Sequence, residues 1–356
     1  MSFLKKILKL ILLIAIIFTG CAFMLITYLT ISEYKPAKIS NLPINNQSNI
    51  TIDKNSTINI STWNIGYAAL SDNADFFMDG GKDVMSSSKS KVSDNLESIN
   101  FDLKKLNSDI FFCQEVDINS KRSYKINEKN FIANHLNDYS SSFAYNFKVK
   151  FIPYPLPPIG RVESGLLTLS KYKMDSSKRF SLPNPFKWPV RTANLKRALL
   201  VSKLPISGSN KKLVLVNLHL EAYDDGSGKL QQTKALKNLL ESEYKKGNYV
   251  IAGGDFNQTF ENEKNKFPVI NKNFWQPGII DNSSFEPSFK MLMDSHFPSC
   301  RSLNEPFKDA DKKSFQYYMI DGFLVSKNID VIKIKTENLN FKNSDHNPVT
   351  ISIKLD

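Results

Sequence analysis

Cysteine and histidine are scarce in this chain, with three of the first and four of the second in 356 residues. Cys21 lies in an apolar run and Cys113 in an apolar β-like segment. No disulfide framework is implied, and Cys113 and Cys300 read as free thiols. Neither residue type recurs at ligand spacing, which excludes a zinc cluster. Glycine is modest at 14 residues while phenylalanine reaches 25, a balance that argues against a low-complexity architecture. Charged residues are 23% and hydrophobic ones 41%. Enough apolar surface is present to bury a sizeable core, which excludes a disordered chain. Acidic residues are the minority, 35 against 47 basic, leaving a formal net charge of +12. A basic protein attracts polyanions, whether nucleic acid or an anionic lipid surface. Here the lysines are scattered among Asn and Ser, so charge alone selects neither.

One long apolar run stands out. From Ile7 to Ile31 only Lys9 is charged. At ~1.5 Å of rise per residue, these 25 residues exceed the ~30 Å of a bilayer's hydrocarbon core. Lys5, Lys6 and Lys9 predict a cytoplasmic N-terminus, hence a single-pass cell-membrane protein whose remainder is extracytoplasmic. A cleaved signal peptide has a shorter apolar region of ~7–15 residues. Phe18-Thr19-Gly20-Cys21 resembles a bacterial lipidation site, but Ala22–Ile31 stays apolar where a lipoprotein would turn polar. Residues 1–32 therefore read as an uncleaved anchor, with lipid attachment at Cys21 as the alternative.

Residues 33–56 are polar and rich in Asn and Ser, and read as a linker. From Thr57 onwards β-rich runs alternate with polar stretches. Strands are expected at 57–64, 109–115, 165–170, 196–204, 213–220, 249–255, 317–326 and 349–354. Helices are expected at 91–106 and 229–246, where leucines and their neighbours recur at spacings of three and four. Residues 57–356 thus form one α/β domain. Three loops stand apart: 70–90, and the proline-rich 151–164 and 180–192, the kind of segment that selects substrates.

The chemistry lies at strand ends. Gly253-Gly254-Asp255-Phe256-Asn257 closes an apolar strand. Its glycines permit close backbone approach, its carboxylate can orient or deprotonate a water, and its amide can donate to a phosphoryl oxygen. Ser344-Asp345-His346-Asn347-Pro348 puts a hard oxygen ligand beside an imidazole. Asp321 sits among apolar neighbours, where an unpaired charge would be costly. His346 is its natural partner, and the pairing would raise the pKa of His346. Glu115 and Asn64 end two further strands, and an all-oxygen set suits Mg²⁺ or Mn²⁺ rather than zinc. His219 closes the strand LVLVNLHL.

In this order, TWN, QE, NLH, GGDFN, IDGFLV and SDHNPV resemble the core motifs of the endonuclease/exonuclease/phosphatase superfamily, over about Thr57 to Asp356. That superfamily includes deoxyribonucleases, apurinic endonucleases, neutral sphingomyelinases and inositol polyphosphate 5-phosphatases. The resemblance implies a four-layer α/β sandwich of two packed mixed sheets flanked by helices. It implies a metal held by Glu115, Asn64 and Asp345, and catalysis by Asp255, His346, His219, Asn257 and Asp321. Arg197 matches a basic residue that often precedes the NLH strand. Arg161, Arg179 and Arg191 would grip a second phosphate or lie solvated at the surface. The activity implied is metal-dependent phosphoester hydrolysis by in-line attack of water, on nucleic acid or on a lipid or small phosphoester. The alternatives within it are a phosphodiesterase that acts as an endonuclease, a sphingomyelinase- or phospholipase C-like enzyme, and a small-molecule phosphatase. A non-catalytic binding module would have lost Glu115, Asp255 or His346, and all three are present. The sequence points to no obligate protein partner.

Overall fold

In the computed structural model, which describes residues 3–356, β-rich runs and amphipathic helices stack in four layers. The first sheet runs, in spatial order, β1 (Ile39–Asn41), β6 (Ser176–Ser181), β7 (Ala198–Pro205), β8 (Lys212–His219), β9 (Tyr249–Asp255), β15 (Asp321–Ser326) and β12 (Phe289–Leu292). The second runs β16 (Ile329–Thr336), β17 (Val349–Leu355), β2 (Ile58–Asn64), β3 (Ile110–Asp117), β5 (Gly160–Ser170) and β4 (Ser140–Ile152). Two small ribbons, β10 (Gln258–Phe260) with β11 (Gly278–Ile280) and β13 (Cys300–Arg301) with β14 (Tyr317–Tyr318), complete the strands. Each of the two large sheets is mixed: β8 with β9 and β2 with β3 are parallel, and the other neighbours within them are antiparallel.

Alternation places the core. Ile58, Ile60, Ile110 and Phe112 of one sheet pack with Leu213, Leu215, Ile251 and Phe323 of the other to make the central layer. On the outer face of the second sheet lies α2 (Lys89–Leu106), near α3 (Glu128–His135). Val92, Leu96, Ile99 and Leu103 of α2 are buried in one cluster with Trp63, Phe111 and Leu167. Ser88 caps this helix by accepting from the Lys91 N–H at 3.2 Å. On the outer face of the first sheet, α4 (Ser227–Lys245) contributes Leu236 and Leu240 to a cluster with Val214, Val216 and Val250. Truncating a side chain in either layer leaves a cavity. Leu96→Ala is expected to lower stability by roughly 2–5 kcal/mol, to be read as a shift of the urea midpoint at constant slope.

Three expectations change. The strand expected over 317–326 is two, because Tyr317–Tyr318 pairs with Cys300–Arg301 and only Asp321–Ser326 joins the large sheet. Strand β5 begins at Gly160, which shortens the first proline-rich loop. The segment read as a linker does not hang free. Ile39–Asn41 pairs with β6, Asn45 bridges Ser141, and Gln47 donates to the Met174 carbonyl at 2.8 Å. Ile52 is fully buried. Polar composition did not prevent docking, because open sheet edges satisfy the segment's backbone and Leu42, Ile44 and Ile52 supply apolar anchors.

Ahead of the domain, α1 (Phe3–Ile31) is 29 residues long, and Leu29 is its one buried residue among those described. It is long and apolar enough to cross a bilayer.

Candidate active site

The two parallel pairs end at the same rim. Asn64 ends β2, Glu115 lies near the end of β3, His219 ends β8 and Asp255 ends β9. In the first sheet His219, Asp255 and Asp321 stand side by side on one rung, His219 opposite Asp255 and Asp321 opposite Asp255. Two local devices aim the carboxylates. Gly254 has φ +152°, and a Cβ there would meet the Leu218 carbonyl oxygen at 2.0 Å, so only glycine lets β9 run this close to β8. In β3, Cys113 pairs with Leu167 and Val116 with Gly165, so Gln114 and Glu115 together face one partner residue. This is a bulge, and Glu115 takes φ +55° within it.

Beneath the rim the sheets are tied by amides. Gln114 Nε2 donates to Asn217 Oδ1 at 2.8 Å, and Asn217 Nδ2 donates to the Leu167 carbonyl at 3.0 Å. Asn217→Ala would strand buried polar groups. It is expected to cost roughly 1–3 kcal/mol in chemical denaturation, with Glu115 less firmly held.

The segment Ser344–Pro348 is stapled onto β2. Trp63 Nε1 donates to the His346 carbonyl at 2.9 Å, and Ser344 Oγ donates to the Asn64 carbonyl at 2.8 Å. His346 Nδ1 lies 2.8 Å from Asp321 Oδ2 and its Nε2 lies 3.8 Å from Asp255 Oδ2. His219 Nε2 lies 3.5 Å from the same oxygen. Asp255 Oδ1 accepts the Asn257 N–H at 2.8 Å, and Asn257, in the left-handed region at φ +50°, donates its side-chain amide to the Leu220 carbonyl at 2.9 Å.

The two histidines are polarised oppositely. Burial opposes protonation of His346, yet Asp321, with Cys300 and Asp345 beside it, holds its pKa well above the ordinary value. Burial, the Arg197 guanidinium and His346 push His219 well below it. An imidazolium and a neutral imidazole therefore flank Asp255. Burial and the neighbouring Asp321 push the Asp255 carboxyl up to about 7, against the pull of His346, Asn257 and Asn64.

Solved structures share this architecture. The chain superposes on an endonuclease/exonuclease/phosphatase from Beutenbergia cavernae DSM 12333 with a TM-score of 0.57, 15% identity, and 84% of this chain and 72% of that one covered. On an endonuclease/exonuclease/phosphatase from Bacteroides vulgatus the TM-score is 0.51 at 16% identity, covering 85% and 100%. On D. rerio TDP2 complexed with a single strand DNA product it is 0.52 at 14% identity, covering 84% and 99%. The fold is that of the endonuclease/exonuclease/phosphatase superfamily. No protein-family profile and no curated protein matches the sequence.

Within that superfamily fold, the residues expected from the motifs converge on a cavity of about 890 Å³ lined by Glu115, Arg197, His219, Asp255, Asn257, Asp345 and His346. Asn64 was expected as a metal ligand. Its oxygen accepts the Gly66 N–H at 3.1 Å, while its nitrogen donates to Glu115 at 3.2 Å and Asp255 at 3.1 Å, contacts that hold two carboxylates in place. Arg197 reaches the cavity, but its guanidinium is committed to Glu221 at 3.4 Å and the His219 carbonyl at 3.1 Å, so it positions His219. Arg161 and Arg191 do not line the cavity. Arg161 pairs with Glu163 at 2.8 Å and Arg191 lies 3.4 Å from Glu33, both half-exposed. Arg179 is buried and donates to the carbonyls of Tyr145 and Lys196.

The donor set fits a hard divalent cation. Burial drives the Asp345 carboxyl up to about 6, with Glu115 adding to the rise against His346, and drives Asp79 up to about 7, with Asp345 adding. This crowd of carboxyl oxygens lacks enough positive charge, which is what a divalent cation supplies. The Cys300 thiol, an Asp345 oxygen and a His346 nitrogen also lie within 4.8 Å of one another. Burial pushes that thiol up to about 12, so oxygen ligands remain the better set.

Sequence patterns gave no sign of Arg122 or Tyr67. Arg122 makes a two-pronged pair with Asp117 at 3.0 and 3.1 Å, and its guanidinium lies 3.5 Å from the centre of the Tyr67 ring, both residues lining the cavity. Arg122 belongs to a single 3-10 turn with no apolar period to mark it.

Proposed function

We propose that this chain is a divalent-metal-dependent phosphoester hydrolase, a phosphodiesterase that attacks phosphorus in line with water. The observation that carries it is the convergence of Asp255, a neutral His219 and an Asp321-paired His346 beside the Glu115–Asp345 carboxyl cluster. Asp255, with its carboxyl near neutrality, orients the water and takes its proton. His219 and the Asn257 amide donate to phosphoryl oxygens, and the His346 imidazolium stabilises charge that grows on them. Glu115 and Asp345 would hold Mg²⁺ or Mn²⁺, with Asn64 orienting Glu115. Bound there, the ion supplies charge neutralisation at phosphorus. A single strand DNA product bound by a protein of the same fold supports the phosphodiester reading. In this reading α1 anchors the enzyme, with Lys5, Lys6 and Lys9 on the cytoplasmic side and the site outside.

The test is isotopic. During hydrolysis in H₂¹⁸O the label should appear on the phosphorus-bearing product, with no phosphorylated protein under single-turnover conditions. Label on the alcohol, or a trapped phosphoryl-protein, would contradict direct attack at phosphorus.

A further inference from the structure

The cavity runs well past the catalytic residues, and its outer walls are apolar. Phe77, Ile152, Tyr154, Ile159, Phe186 and Val190 line it. No described lysine does, although lysines supply most of the chain's positive charge. Its three arginines are engaged: Arg122 with Asp117, Arg197 with Glu221, and Arg301 with the carbonyls of Ser71 and Ser302. A single-stranded nucleic acid would need cations tracking its backbone. Aromatic rings could stack on bases, but Ile152, Ile159 and Val190 offer no stacking face.

The walls continue into apolar residues on the rim. Leu156 is 88% exposed, Tyr154 70%, Val190 59% and Trp188 55%, contributed by the two proline-rich loops. Exposed apolar residues on one rim mark a surface that meets something apolar. One of these loops touches the base of α1: Trp188 Nε1 donates to Thr30 Oγ1 at 3.1 Å, and Arg191 and Lys196 lie 3.4 and 2.9 Å from Glu33. The cavity mouth therefore opens where the apolar helix ends, and a bilayer around α1 would meet Trp188.

We propose that the cavity takes a membrane phospholipid from the leaflet in which α1 ends. Its phosphoester would lie at Asp255 and His346, and its apolar part along Phe77, Tyr154, Phe186 and Val190. The proposal rests on the hydrolase reading above and names its substrate class. The water oxygen bonds to phosphorus as the bond from phosphorus to the glycerol oxygen breaks. The proton lost by the water ends on that oxygen. The products are a diacylglycerol and the phosphorylated headgroup, and water is the only co-reactant.

Two measurements on the full chain in proteoliposomes test this. The first needs no activity. The chain has three tryptophans, of which Trp63 is buried in the core and Trp275 lines the cavity. Phosphatidylcholine brominated in its acyl chains should quench Trp188, and Trp188→Phe should remove that quenching. Equal quenching of the two proteins would overturn the proposal. The second follows Mg²⁺-supplemented hydrolysis of vesicles containing phosphatidylethanolamine, phosphatidylglycerol and phosphatidylcholine, beside bis-p-nitrophenyl phosphate and a single-stranded oligonucleotide. In Leu156→Asp/Trp188→Asp, vesicle hydrolysis should fall at least about tenfold while bis-p-nitrophenyl phosphate turnover stays within about twofold. Turnover of the soluble substrates with none of vesicle lipid would overturn this proposal alone. Turnover of nothing would overturn the hydrolase reading and this proposal with it.

Discussion

Replacing His346 with alanine is expected to cut turnover by about 10²–10³-fold, the usual penalty for losing one oriented group at a developing charge. The same change should also destabilise the fold. His346 and Asp321 form a buried pair at 2.8 Å with side chains 5% and 1% exposed. Removing one partner of such a pair strands a charge at a cost of roughly 3–5 kcal/mol. The two effects can be separated. The double variant Asp321→Asn/His346→Ala no longer buries an unpaired carboxylate, so it should recover most of the lost stability and none of the lost turnover. Thermal melts beside initial rates decide the matter. A double variant as active as wild type would deny His346 its chemical role. A single variant as stable as wild type would deny the buried pair.

Glu115→Gln is expected to lose on the order of 10³-fold in turnover. A bound cation provides several kcal/mol at phosphorus, and each 1.36 kcal/mol is about tenfold in rate. Its stability should move the other way. Glu115 adds to the repulsion that raises Asp345, Asp79 and Tyr67. Neutralising it relieves like-charge crowding, so the metal-free variant should melt higher than the metal-free wild type, an activity gained at the expense of stability. Calorimetric titration with Mn²⁺ should show binding lost in Glu115→Gln and kept in Asp321→Asn/His346→Ala. Undiminished Mn²⁺ binding, or a lower melting temperature under chelation, would remove Glu115 from the metal site.

Much of this site is legible in the chain because strand ends carry it. Asp255, Glu115, Asn64 and His219 each close an apolar run, and Asp321 stands out as a charge within one. Their convergence follows from parallel pairing, which puts β2, β3, β8 and β9 at one rim. The strands that escape a reading by apolar period do so for physical reasons. Strand β6 (SSKRFS) has one apolar residue because it lies near the sheet edge, beside the three-residue β1, and β16 is an edge strand with Asp330, Lys333 and Lys335 on its outer side. Strand β4 does alternate Phe143, Tyr145, Phe147 and Val149, yet its opening Ser140-Ser141-Ser142 looks like a loop. The stacking of Arg122 on Tyr67, the pairing of Arg197 with Glu221 and the docking of the 33–56 segment depend on partners distant in sequence, which no local pattern reports. For Arg161 and Arg191 the sequence left both a phosphate grip and a solvated surface open, and the half-exposed ion pairs with Glu163 and Glu33 are contacts that no loop composition reports.

Whether catalysis needs a metal at these residues is decided by hydrolysis of bis-p-nitrophenyl phosphate by the full chain in detergent, before and after chelation. Turnover should vanish with chelator and return on adding Mg²⁺ or Mn²⁺, and Asp255→Asn should stay inactive through the whole titration. Turnover that survives chelation, or an Asp255→Asn variant that matches wild type, would contradict a metal-dependent hydrolase built on these residues.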